Sequence, residues 1–180
     1  MDKTIKQFDE AFALCHNLFS KKLQDYGASW RIMRPESITD QIYIKANRIR
    51  SLEIKKESKV GEGIKDEFIA IVNYGIMGLI QLELGFADTA DLNAEAIINA
   101  YNKQMTLVKE LMIRKNHDYG EAWRQMRISS FTDLILMKIY RTKEIENNKG
   151  ETIVSEGVDA NYMDMINYSI FALIKFDDEK

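Results

Sequence analysis

Residues 25–34 read DYGASWRIMR and residues 118–127 read DYGEAWRQMR, with seven of ten positions identical at an offset of 93. A match this dense in a chain without low-complexity runs marks an internal repeat, and the repeat decides the fold. The same offset carries Ser37/Ser130, Thr39/Thr132, Asp40/Asp133, Ile42/Ile135, Lys45/Lys138, Arg48/Arg141 and Glu53/Glu146. One residue inserted in the second linker moves the offset to 94, at which Glu62, Gly63, Asn73, Tyr74, Ile76, Leu79 and Ile80 match Glu156, Gly157, Asn167, Tyr168, Ile170, Leu173 and Ile174. Two copies, residues 1–87 and 94–180, fill the chain, and the polar, unrepeated stretch Asp88 to Asn93 connects them.

Each copy reads as three helices. Ile5, Phe8, Phe12, Cys15 and Phe19 step by three and four, and Ile98, Tyr101, Met105, Val108 and Met112 answer at the same phases, so each first helix carries an apolar stripe. Gly27 and Gly120 follow as stop signals, because glycine adopts the left-handed conformation that ends a helix. A second helix is expected to start near Ser37 or Ser130, with Pro35 compatible with that start. A third opens after Gly63 or Gly157 and is apolar nearly all round, which places it in the middle of a bundle. A lone three-helix unit would expose that helix. The expected architecture is therefore an all-α helical bundle, residues 1–180 forming one domain from two three-helix repeats packed face to face about a pseudo-twofold axis.

Composition agrees. One proline and 9 glycines are too few for the many turns of a sandwich or barrel. Cys15 alone excludes a disulfide framework, and with only His16 and His117 a zinc site built on cysteine or histidine is out. The opening MDKTIKQFDEAF has no apolar run of signal-peptide type, and the most apolar stretch, residues 69–84, is interrupted by Asn73, Gln81 and Glu83. A cytoplasmic chain that does not span a membrane is expected. A net charge of −3 implies no general attraction to nucleic acid or anionic lipid, so any anion site must be local. Association into a homo-oligomer is left open.

Three features carry chemistry. The repeated loop supplies Tyr26, Trp30, Arg31 and Arg34, then Tyr119, Trp123, Arg124 and Arg127; aromatic faces suit a base and guanidinium groups a phosphate. Equally, the tryptophans suit plugs at the bundle end, with the arginines paired to Asp40 or Asp133 of their own copy. Lys45 and Arg48, like Lys138 and Arg141, lie at i and i+3 and project in one direction, as a phosphate clamp or as salt-bridge partners. The third helices split an E-x-x-D pattern, with Glu67 kept in one copy and Asp164 in the other. Together they could hold Mg²⁺, a hard cation that takes oxygen ligands; separately, each acid would need a lysine or arginine partner.

The segments HDYGEAWRQMR, TDLILMKIYR and SEGVDANYMDMINYSIFALI resemble the bacterial nucleotide modification associated domain 1 family, in both copies and over nearly the whole chain. The third helix, an acid followed by Asn-Tyr and apolar residues, is also similar to the last helix of the all-α MazG and dimeric dUTPase pyrophosphohydrolases. That resemblance implies a MazG-like bundle, Mg²⁺ held by E-x-x-E and E-x-x-D pairs, and cleavage of a nucleoside triphosphate to monophosphate and pyrophosphate. The chain departs from the pattern: Lys45/Arg48 and Lys138/Arg141 stand where the first acidic pair belongs, and each copy has half of the second. Two expectations follow. One is a nucleotide-binding protein with a degraded or composite Glu67/Asp164 metal site; the other is a non-enzymatic helical binding or assembly module.

Overall fold

The computed structural model describes residues 1–55 and 60–179, the side chains of residues 60–62 excepted. The matched Glu62 side chain and Lys180, the last residue of the second copy, lie outside the described part. Six α-helices run through the described residues: α1 Asp2–Tyr26, α2 Pro35–Lys55, α3 Val60–Leu84, α4 Ala94–Tyr119, α5 Ile128–Asn147 and α6 Val158–Asp178. Short 3-10 turns, Ser29–Ile32 and Ala122–Gln125, follow α1 and α4, so the order helix, turn, helix, helix occurs twice. No strand is present among the described residues.

Local chemistry explains the boundaries. α1 and α4 end at Gly27 (φ 72°) and Gly120 (φ 60°), whose N–H groups donate to the carbonyls of Leu23 and Asn116. α2 and α5 open two residues before the expected serines. Pro35, with its fixed φ and missing N–H, takes the first position of α2. Ser37 and Ser130 lie within the first turns, their backbone N–H groups donating to the carbonyls of Arg34 and Arg127. α3 likewise begins at Val60, ahead of Gly63.

Helices α2, α3, α5 and α6 form the centre, with α3 packed on α6; α1 and α4 lie outside them, each touching both third helices. The packing survives exchange of the copies: α2 on α3 is answered by α5 on α6, and α1 on α6 by α4 on α3. Glycines bring α3 and α6 close. A Cβ built on Gly75 would sit 2.5 Å from Ile166 Cγ1, and one on Gly78 would sit 3.0 Å from the Tyr162 ring. The stretch Gly63–Leu84 has the length and hydropathy of a membrane span, but 67% of its most apolar window is buried inside the bundle.

Each third helix, α3 or α6, ties down the outer helix of its own copy through a buried asparagine. Asn73 Nδ2 donates to the Cys15 carbonyl at 3.1 Å, and Asn167 Nδ2 to the Val108 carbonyl at 3.3 Å. Between α2 and α5 the repeated polar residues pair across the copies. Thr39 donates to Glu146 and Thr132 to Glu53, both at 3.2 Å; Asp40 pairs with Lys143 at 3.3 Å and Asp133 with Arg50 at 3.8 Å. These contacts join the start of each helix to the end of the other, an antiparallel register. They correct the expectation that Asp40 and Asp133 pair with an arginine of their own copy. The same-helix candidates, Arg48 for Asp40 and Arg141 for Asp133, lie eight residues away, about 12 Å along the helix and beyond the reach of an Asp–Arg pair, whereas the antiparallel neighbour delivers a cation directly.

Candidate functional site

In the first copy, the end of α1, the loop after it, α2 and α3 enclose a pocket of about 260 Å³. Tyr26, Trp30, Lys45 and Glu67, all singled out from sequence, line it together with Lys22, Asp66, Ala70, Asn73 and Tyr74. Trp30 is buried against Phe19 and forms the floor rather than a free stacking face, whereas Tyr26 is 60% exposed at the rim. Partial burial, reinforced by Tyr74 and Asp25, raises the pKa of the Tyr26 phenol, so it stays a neutral hydroxyl near pH 7.

The charges in this pocket are unevenly used. Arg48 Nη1 donates to Glu67 Oε1 at 2.6 Å, while Lys45 Nζ stands 3.6 Å from Glu67 Oε2. That second oxygen is buried without a hydrogen-bond partner among the described residues. Among the described residues Lys22 makes no ion pair. The pocket thus offers ammonium groups for an anion and an acceptor for a ligand N–H or O–H.

The second copy places other side chains at the matching positions. Lys115, Tyr119, Trp123 and Lys138 correspond to Lys22, Tyr26, Trp30 and Lys45, but Asn161, Asp164 and Phe171 replace Glu67, Ala70 and Met77. Asp164 is held by Lys115 at 2.6 Å and by Lys138 at 2.8 Å. Phe171 stacks on Trp123 at 4.3 Å with an interplanar angle of 5°. Burial alone would lower the pKa of Lys115, but the hydrogen bond and charge of Asp164 outweigh it, and the net shift is upward. Tyr119 is exposed and touches none of these groups through a hydrogen bond.

The loop arginines are placed elsewhere. Arg31 is 3% exposed and anchors the connection between copies, donating to Asp91 at 2.9 Å and 3.3 Å, to the Gly85 carbonyl at 2.8 Å and to Gln81. Arg124 stacks over Trp123 and donates to Thr4 at 2.6 Å and Gln7 at 2.8 Å, joining the loop to the start of α1. Neither points into the pocket, because each copy's loop needs a multivalent donor to hold the neighbouring segment's carbonyls and side chains. Arg34 and Arg127 are exposed and line no described pocket; Arg141 lies with Lys138 on a separate open groove beside residues 151–156.

Glu67 pairs with Lys45 and Arg48, and Asp164 with Lys115 and Lys138. Each carboxylate is engaged by cations of its own copy, and no group of three or more His, Cys, Asp or Glu side chains suited to a metal ion occurs among the described residues. The donor set does not fit a composite Mg²⁺ site, since a divalent cation at either acid would stand against two ammonium or guanidinium groups.

Sequence reading passed over Lys22 and Lys115. Their signal is repetition: each lies four residues before the loop tyrosine and one turn before the helix-ending glycine. No curated protein and no solved structure matches the chain. The family described as nucleotide modification associated domain 1 matches residues 22–82 and again residues 115–176. The two matched stretches begin at those same two lysines and together take in more than half of the sequence. The chain therefore belongs to the nucleotide modification associated domain 1 family, of which it carries two tandem copies.

Proposed function

We propose that the protein binds a nucleotide in the pocket of the first copy. The observation that carries this reading is the combination of Lys22 and Lys45 in one aromatic-lined cavity with Glu67 Oε2, which faces Lys45 at 3.6 Å but accepts no hydrogen bond among the described residues. A bare anion would meet Asp66 and Glu67 as well as the lysines; a nucleotide brings phosphate for the ammonium groups and a ribose hydroxyl or base amine for the carboxylate. Tyr26 and Tyr74 give the base a face at the rim. A small-molecule nucleotide rather than a nucleic acid suits a net charge of −3, and a buried, unpaired Cys15 suits the cytoplasm. The pyrophosphohydrolase chemistry implied by the third helix is not part of this reading, because its acids are neutralised by lysine and arginine.

Titration of nucleoside mono-, di- and triphosphates, with and without Mg²⁺, followed by thermal unfolding and calorimetry, tests the proposal. At least one nucleotide should raise the melting temperature, and Lys22→Ala should weaken it about tenfold or more, the loss of one charge-assisted contact. Absence of any nucleotide effect overturns the reading. A purely structural assembly module is the second reading, favoured by the ion pairs and hydrogen bonds in which Arg31 and Arg124 are already consumed.

A further inference from the structure

The two copies differ where the lysine pairs converge. In the second, the Asp164 carboxylate bridges Lys115 and Lys138, one oxygen to each ammonium, and is almost wholly buried. In the first, the corresponding Lys22 and Lys45 line an open pocket, Lys45 has only the looser 3.6 Å ion pair with Glu67, and the residue matching Asp164 is Ala70, whose methyl bridges neither lysine. The surroundings follow the same contrast. Asn161 satisfies itself on the Gly157 carbonyl at 2.8 Å, whereas Glu67, its counterpart, keeps an oxygen that accepts no hydrogen bond among the described residues. Phe171 closes over Trp123, whereas Met77, its counterpart, lines the cavity.

We infer that Asp164 is a tethered occupant of the second copy's site, and that its carboxylate marks where a phosphate group of the ligand docks between Lys22 and Lys45 in the first. The inference rests on the nucleotide-binding reading for the identity of the anion, and on the Ala70/Asp164 difference for its position. A carboxylate and a phosphate share the needed chemistry: anionic oxygens spaced to pair with one ammonium group each. The tether explains why the place between the two lysines is filled in one copy and free in the other. An intramolecular carboxylate acts at an effective concentration that a free anion rarely reaches, so the second copy is permanently filled and the first is left for ligand.

The test exchanges the two residues, with AMP, GMP, CMP and UMP as probes in calorimetric and thermal-shift titrations of the full chain. Ala70→Asp should supply the first copy with its own occupant. It should keep or raise the melting temperature and weaken monophosphate binding about tenfold or more, while Ala70→Asn, similar in size but uncharged, stays within about threefold of the parent. Asp164→Ala should vacate the second site. That variant should melt lower than the parent, gain more from monophosphate than the parent does, and bind a second equivalent. Undiminished binding by folded Ala70→Asp overturns the inference even when the parent binds nucleotide. If Ala70→Asp does not fold, Asp164→Ala decides alone: no thermal gain beyond the parent's overturns it. A parent that binds no monophosphate beside an Asp164→Ala variant that does would remove the proposed function and leave the tethered occupant standing.

Discussion

Lys138 Nζ of α5 lies 2.8 Å from Asp164 Oδ2 of α6, with both side chains almost wholly out of solvent. Lys115 holds the other oxygen at 2.6 Å. Removing two charges from water is costly, so the pair stands only because each charge is matched. Asp164→Ala strands the Lys138 ammonium and should cost about 3 kcal/mol of unfolding free energy in urea, the usual penalty for breaking a buried pair from one side. A loss below about 1 kcal/mol would mean that water reaches the lysine freely.

Arg31 should prove an anchor rather than a phosphate ligand. Arg31→Ala leaves Gln81, Asp91 and the Gly85 carbonyl without their shared donor, and unmatched partners of this kind cost roughly 2–4 kcal/mol in total. Thermal stability should fall while nucleotide affinity in folded protein stays within about twofold. A tenfold loss of affinity with unchanged stability would return Arg31 to the pocket.

A donor present in one copy is missing from the other. Tyr101 OH donates to Asn73 Oδ1 at 2.7 Å, but the residue matching Tyr101 in the first copy is Phe8, and Asn167 Oδ1 is buried without a partner among the described residues. Tyr101→Phe should cost roughly 1–2 kcal/mol by creating the same defect in the first pairing. Phe8→Tyr should raise the melting temperature by satisfying Asn167; a Tyr101→Phe chain as stable as the parent would contradict the assignment.

Acidity at the α2–α5 seam gives a pH dependence. Burial, together with Glu36 and Asp40 and against the Thr39 hydrogen bond, pushes Glu146 from its ordinary 4.5 to about 7. The folded state therefore binds this proton more tightly than the unfolded chain does. Its contribution is full below about pH 4.5 and is lost as pH rises through 7. Because the side chain is half-exposed, screening reduces the effect to roughly 1 kcal/mol. Glu146→Gln should flatten that part of the stability profile, and an unchanged slope between pH 4.5 and 7 would contradict it.

The repeat, the helices and the buried third helices were legible because periodicity and glycine placement act locally: the Phe8–Cys15–Phe19 stripe and Gly27 announce α1 without reference to any other segment. Which partner each polar residue meets was not. Asp40 finds Lys143 and Thr39 finds Glu146 only once α2 and α5 lie antiparallel, a relation between copies that spacing within one copy cannot encode. The pocket was half legible. Tyr26, Trp30, Lys45 and Glu67 were readable as candidates, but Lys22 lies just outside the repeated loop motif, and the meaning of Ala70 is visible only beside Asp164. Arg31 and Arg124 misled because a guanidinium suits a phosphate and a cluster of backbone carbonyls and carboxylates equally well.

A nucleotide in the first copy's pocket, with its phosphate between Lys22 and Lys45, underlies both the proposed function and the tethered occupant. A crystal structure of the protein soaked with the tightest-binding nucleoside monophosphate tests it most directly. One ligand per chain is expected, its phosphate oxygens within about 3 Å of both ammonium groups and a hydroxyl or amine donating to Glu67 Oε2, with the Asp164 bridge intact in the second copy. A nucleotide seated instead on the exposed Arg34, Arg127 or Arg141, with the pocket empty, would contradict it.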